Sequence, residues 1–258
     1  MNNRDLSSLP QTTFSKEKMG ISWLIAATVT TIVLWQFSWG NYILYPFSIL
    51  ATWFHEMGHG LTAMLLGGNF QKLVLFSNGS GVAYHSGHLF LGRIGRALVS
   101  AGGLLGPAIA GSLFIISSRR YKTAHYTLMF LGCFLLISVL LWVRSFFGII
   151  AITLWGLGII YLSYKTDKEV QGFAIQFLGV QAIISCYHQI GYLFMNNAVI
   201  NGRYMTSDTG QIAKQLFLPH WFWAILIIIA TILLLFYSLR IAYFDEYKIY
   251  SKKRDNDI

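Results

Sequence analysis

Two histidines and a glutamate interrupt an apolar run in WFHEMGHGLTAMLLGG, residues 53–68. His55 and His59 lie four residues apart, so on a helix they project from one face, one turn from each other, and can bind one metal ion together. Glu56 leaves the helix at a neighbouring angle, from which it can reach a water beside the metal without being a ligand itself. HEMGH therefore has the general-base arrangement of an HExxH metallopeptidase. Ionisable groups at membrane depth are costly unless they are paired, ligated or set in a wet cavity. A chance motif whose histidines merely satisfy backbone carbonyls thus explains the set less well than a metal does.

A catalytic zinc takes three protein ligands and leaves its fourth position to water. Of the 10 acidic residues in the chain, Asp5, Glu17, Asp167, Glu169, Asp245, Glu246, Asp255 and Asp257 lie in the tails or in charged turns, which leaves Glu56 and Asp208. Asp208, in TSDTGQIAKQL, is the candidate third ligand. Ser207 or Asp208 would equally well cap a short helix over 209–216. His188 competes with Asp208; it shares a helical stripe with Gln181 and Ser185, a pattern that also suits a polar seam between helices. His85, His88, His125 and His220 read as interfacial side chains.

The elements that must hold these groups are membrane helices. Of 258 residues, 55% are hydrophobic and 11% charged, with a mean hydropathy of +0.55, which excludes an ordinary soluble domain. Apolar windows of spanning length, roughly 20 residues each, occur at 21–39, 42–66, 97–116, 126–143, 146–164 and 221–243. A seventh, 170–199, lacks charge but carries Gln, Ser and His, so six or seven spans are expected. The net charge of +9 comes from Lys and Arg placed at span ends, which anchors helices at head groups and does not point to nucleic acid. With six spans both termini fall on the basic, cytoplasmic side.

The first apolar segment lacks a cleavage site and reads as an anchor, not a signal peptide. Cys133 and Cys186 sit in apolar windows and imply neither a disulfide nor a thiolate metal site. The organisation expected is a polar tail over 1–20, one membrane-embedded domain over 21–243 and a charged tail over 244–258. The fold class is an all-α polytopic bundle with a small Gly-rich hairpin or loop after the HExxH helix. In LVLFSNGSGVAYH, Asn78-Gly79 separates two β-prone runs and supplies the hairpin signal.

Taken together, these residues resemble the site-2 protease-type membrane zinc metallopeptidases, in the short bacterial-type B-like branch without a PDZ domain. FHEMGHGLTAMLLGG is similar to that family's active-site helix, SNGSGVAY to the Gly-rich segment after it, and SAGGLLGPAIAG to the next core helix. LGVQAIISCYHQIGYLF followed by SDTGQIAKQLFLPHWFW resembles the C-terminal half of the branch, so the likeness covers 42–223. The resemblance implies one Zn2+ per chain on His55, His59 and Asp208, with Glu56 as base, and a bacterial-type inner membrane as location. SDTGQ departs from the LDGG-type motif of larger relatives, so the local backbone around Asp208 cannot be copied from them.

Candidate substrate- or cavity-lining positions are Asn78, Gly79, Gly81, Gly106, Pro107, Gln181 and His188. Gly102, Gly103, Gly106 and Gly111 also read as packing positions that let helix backbones approach. The activity expected is zinc endopeptidase action on a membrane-anchored protein or peptide, in contact with lipid. The alternative is a non-catalytic zinc-binding scaffold or a transporter. A scaffold has no need of Glu56, and a transporter would carry more ionisable groups within its spans.

Overall fold

A computed structural model of the chain describes residues 21–188 and 190–244; the tail 1–20 and nearly all of the charged C-terminal tail lie outside the described residues. Long apolar runs form the helices α1 (Ile21–Trp35), α2 (Ser38–Leu65), α3 (Arg93–Ser118), α4 (Tyr121–Leu141), α5 (Phe146–Lys165) and α6 (Lys168–His188). They are followed by the short turn α7 (Ile190–Leu193), then α8 (Asp208–Leu216) and α9 (His220–Leu239), which ends in a π-helical turn over Arg240–Phe244. Two antiparallel hairpins interrupt the helices: β1 (Asn69–Leu75) with β2 (Gly81–Ser86), and β3 (Asn197–Ile200) with β4 (Arg203–Thr206).

Among the described residues, five helices are long and apolar enough to cross a membrane: Arg93–Ser118, Tyr121–Leu141, Phe146–Lys165, Lys168–Tyr187 and His220–Tyr243. The count differs from the six or seven apolar windows for two physical reasons. Window 21–39 is broken by a turn at Gln36 and Phe37, leaving Leu24–Trp35 as a shorter apolar helix. At 28 residues α2 has ample length, but Asn41, Ser48, Thr52, His55, Glu56 and His59 dilute its apolar character. Window 170–199 is not one helix either. It yields α6, α7 and the first strand of a second hairpin, which turns at Asn201-Gly202 with φ +46° and +77°. That Asn-Gly pair carries the positive-φ hairpin signal, masked in the sequence by the apolar residues before it.

The site-bearing helix α2 is fixed against α3 by the absence of side chains. A Cβ on Gly58 would lie 2.3 Å from the Gly102 carbonyl oxygen, and one on Gly106 would lie 2.5 Å from that of Phe54. Backbones this close leave room only for glycine. On its other side α2 carries fully buried Trp53, whose Nε1 donates to Ser138 Oγ of α4 at 3.0 Å within a core that includes Leu50, Met57, Leu128 and Leu135.

The first hairpin lies along α2. Gly79 turns it with φ +88°; Thr52 Oγ1 donates to the Gly79 carbonyl at 2.7 Å, and the Tyr45 hydroxyl to that of Ser77. Strand β1 is held on both edges. Beyond its pairing with β2, Leu73 exchanges hydrogen bonds with Trp142 and Arg144 at 2.8 and 2.9 Å. Among the described residues, β2 is therefore the outer strand, paired on one edge only.

Overpacking the α2–α3 contact should be costly where a lipid-facing glycine is tolerant. Gly58→Ala is expected to destabilise by about 1–3 kcal/mol. Gly158→Ala, at a site where an added Cβ meets nothing within 4 Å, should be neutral or stabilising by up to ~1 kcal/mol. Thermal unfolding of the two variants in one detergent checks the pair.

Candidate metal centre

His55, Glu56 and His59 lie within five residues of α2, and Asp208 is brought to them by the first turn of α8. The Nε2 atoms of the two imidazoles are 3.1 Å apart. Asp208 faces both: Oδ2 lies 3.1 Å from His55 Nε2, and Oδ1 lies 3.3 Å from His59 Nε2. One ligand atom from each of the three residues lies within 4.8 Å of the other two. Glu56 is 5% exposed and shares with these groups a cavity of about 330 Å³.

The donor set fits a zinc ion. His59 Nδ1 donates to the Val99 carbonyl at 2.9 Å, which leaves the Nε2 lone pair free to ligate, as ligating histidines require. Space for that imidazole exists because position 103 is glycine; a Cβ there would lie 2.1 Å from His59 Nε2. Gly81 of β2 serves Glu56 in the same way, since a Cβ would fall 2.8 Å from Glu56 Cγ. Two neutral imidazoles and a carboxylate are a borderline donor set of the kind catalytic zinc takes.

The start of α8 separates the two candidate caps. Ser207 is the N-cap of α8: its Oγ accepts from the Gly210 N–H at 3.1 Å. Asp208 is the first helical residue, and its carboxylate turns away from its own helix towards α2. Ser207 and Thr209 are both fully buried, and they bind the segment after α7. Ser207 N–H donates to Asn196 O at 3.0 Å, Ser207 Oγ to Met195 O, and Thr209 Oγ1 to Leu193 O at 2.8 Å. SDT thus anchors α8 to the α7 corner, which accounts for its departure from a Gly-rich motif.

The remaining sequence candidates separate in space. Gly81 lines the metal-site cavity, together with His85, Arg96, Ser100, Gln211 and Gln215. Asn78, Gly79 and Gln181 line an adjacent polar cavity of about 300 Å³, with Asn41, Ser48 and Thr52. Gly106 packs on α2, and Pro107 borders a small pocket of about 20 Å³ beside His55. His188 closes α6, but its side chain lies outside the described residues. His125 Nδ1 meets Gln171 Oε1 at 3.0 Å and Ser163 Oγ at 3.2 Å. His220 Nε2 lies 3.1 Å from Phe194 O, and His88 is exposed.

Sequence reasoning missed Tyr192, whose hydroxyl donates to Asp208 Oδ2 at 3.0 Å. A tyrosine in an apolar stretch carries no distinguishing signal; only its distance of 16 residues from Asp208, folded back through the second hairpin, reveals it. Burial and the neighbouring Asp208 charge push the Tyr192 pKa up, so it remains a donor.

Comparison with protein families matches residues 23–238 to Peptidase M50B-like. No curated protein and no solved structure matches the chain.

If the three residues are ligands, His55→Ala, His59→Ala and Asp208→Asn should each strip most of the zinc from a chain that otherwise copurifies with about one ion. Ser207→Ala, which removes the cap and not a ligand, should cost about 1 kcal/mol or more of stability with zinc retained. Metal content by elemental analysis beside a thermal melt separates the two classes. Full zinc in Asp208→Asn would remove that residue from the ligand set.

Proposed function

Because the chain belongs to the Peptidase M50B-like family, a family of membrane metalloproteases, we propose that it is a membrane-embedded zinc endopeptidase that cleaves membrane-anchored substrates, in a bacterial-type cell membrane. The observation that supports this most is the convergence of His55, His59, Asp208 and buried Glu56 in one cavity beside an unpaired strand edge. His55, His59 and Asp208 would hold the ion. Zn2+ bound by such residues supplies Lewis acidity, polarising a scissile carbonyl and lowering the pKa of a water towards ~7.

Glu56 is the general base. Its carboxylate takes a proton from the attacking water and returns it to the leaving amine. Burial next to the ligands places it where that transfer needs no long-range movement, and Gly81 keeps the space around it clear. Hydrolysis also needs water within an apolar bundle. Arg96, Ser100, Gln211 and Gln215 give the cavity walls that can hydrogen-bond it.

A helical substrate hides its carbonyls in its own i to i+4 hydrogen bonds and must be unwound locally before attack. Strand β2 offers main-chain groups along its outer edge at the level of Glu56. An extended segment added to that edge would exchange its helical hydrogen bonds for sheet bonds and present its carbonyl to the site. Of the two alternatives, a scaffold leaves the buried Glu56 without a role. A transport path would need ionisable groups along its length, whereas here they are gathered at one point.

Glu56→Gln should retain zinc and fold yet lose turnover, because an amide cannot accept the proton. Incubation of that variant with membrane-protein substrates should yield trapped, uncleaved complexes. Unchanged cleavage by Glu56→Gln would assign the base to another group.

A further inference from the structure

We infer that Tyr192 is a positioning residue for the metal: its hydroxyl holds the Asp208 carboxylate in the orientation that offers one oxygen to each imidazole. The inference rests on the reading of Asp208 as a ligand. An aspartate at the start of a nine-residue helix has a broad terminal torsion, so nothing in its own backbone decides which way its oxygens face. Here Oδ2 is shared between His55 Nε2 at 3.1 Å and the Tyr192 hydroxyl at 3.0 Å, while Oδ1 is left to His59 at 3.3 Å. The Tyr192 oxygen also accepts from the backbone N–H of Asp208 at 3.4 Å. With that lone pair engaged, the hydroxyl hydrogen is directed at the carboxylate.

The phenol can act in this way only if α7 is itself fixed relative to α8. Both neighbours of Asp208 provide for that. Thr209 Oγ1 bonds Leu193 O, the carbonyl directly after Tyr192, at 2.8 Å; Ser207 N–H bonds Asn196 O at 3.0 Å; and Ser207 Oγ bonds Met195 O. Gly210 allows the close approach, since a Cβ there would lie 2.5 Å from Asn196 O. Residues 192–196 and 207–210 therefore form one hydrogen-bonded corner, closing the base of the β3–β4 hairpin, and Tyr192 is the member that reaches the ligand. His59 and Asp208 are thus oriented by different means. His59 is set by the Val99 carbonyl of α3, and Asp208 by Tyr192. Outer hydrogen bonds of this kind are typically worth 10–100-fold in metal affinity.

The test measures zinc affinity of the full chain by chelator competition for wild type, Tyr192→Phe, Asp208→Ala and the double variant, with the Co2+ absorption spectrum and the melting temperature of the metal-free proteins alongside. Tyr192→Phe keeps the ring and its packing. We expect it to bind zinc about 10–100-fold more weakly, to shift the Co2+ spectrum, and to melt as wild type does without metal. In the Asp208→Ala background it should add no further loss. Unchanged zinc affinity with a lower kcat would overturn the inference, because the hydroxyl would then act on the substrate. An equal affinity loss in the Asp208→Ala background, or a matching fall in metal-free melting temperature, would overturn it in favour of a packing role. A wild-type chain that binds no zinc would remove the metal reading itself, and this inference with it.

Discussion

Two carboxylates, Glu56 and Asp208, and two imidazoles converge on one cavity, with Glu56 and His59 buried and His55 and Asp208 partly buried. With the imidazoles neutral, the cluster carries two negative charges, and a carboxylate in such surroundings is strongly disfavoured unless something compensates it. One divalent cation would cancel that charge. Much of the surrounding architecture is understandable as the means of bringing these four side chains to one point.

Convergence imposes demands on backbone spacing. The imidazole of His59 occupies the volume that a side chain at 103 would fill, and the Glu56 carboxyl occupies the volume that one at 81 would fill. The glycines of α3 and β2 are thus part of the site even though they contribute no functional group. Bringing α2 and α3 together at Gly58 and Gly102 also carries Val99 to His59, so the packing contact and the orientation of a candidate ligand are consequences of one close approach.

Both hairpins are tied by hydrogen bonds to the elements that flank the site. The first is tied to α2 through Tyr45 and Thr52 and to the α4–α5 connection through Leu73, and its tip borders a polar cavity. The second is closed at its base by Ser207 and Thr209, with Ile200, Met205 and Thr206 forming one wall of the metal-site cavity opposite Gly81, Val82 and Ala83 of the first. The site thus lies between a strand edge that can receive an extended chain and a hairpin anchored to the candidate third ligand.

The local pattern of the sequence was enough to place His55, Glu56 and His59 on one helix face, because a four-residue spacing fixes angle and rise whatever surrounds it. It also sufficed for the membrane class, which follows from composition, and for a turn at Asn78-Gly79. It left Asp208 open between cap and ligand, since both roles suit a short acidic side chain at a helix start; the fold gives the cap to Ser207 and turns the Asp208 carboxylate towards the two histidines. Tyr192, the second hairpin and the division of the lining residues between two cavities were likewise undecided. Tyr192 meets Asp208 across 16 residues, and periodicity carries no information about contacts of that range. The seeming seventh span shows the same limit: apolar residues before Asn201-Gly202 suit a helix in lipid or a strand over a cavity, and only the partner against which they pack distinguishes the two.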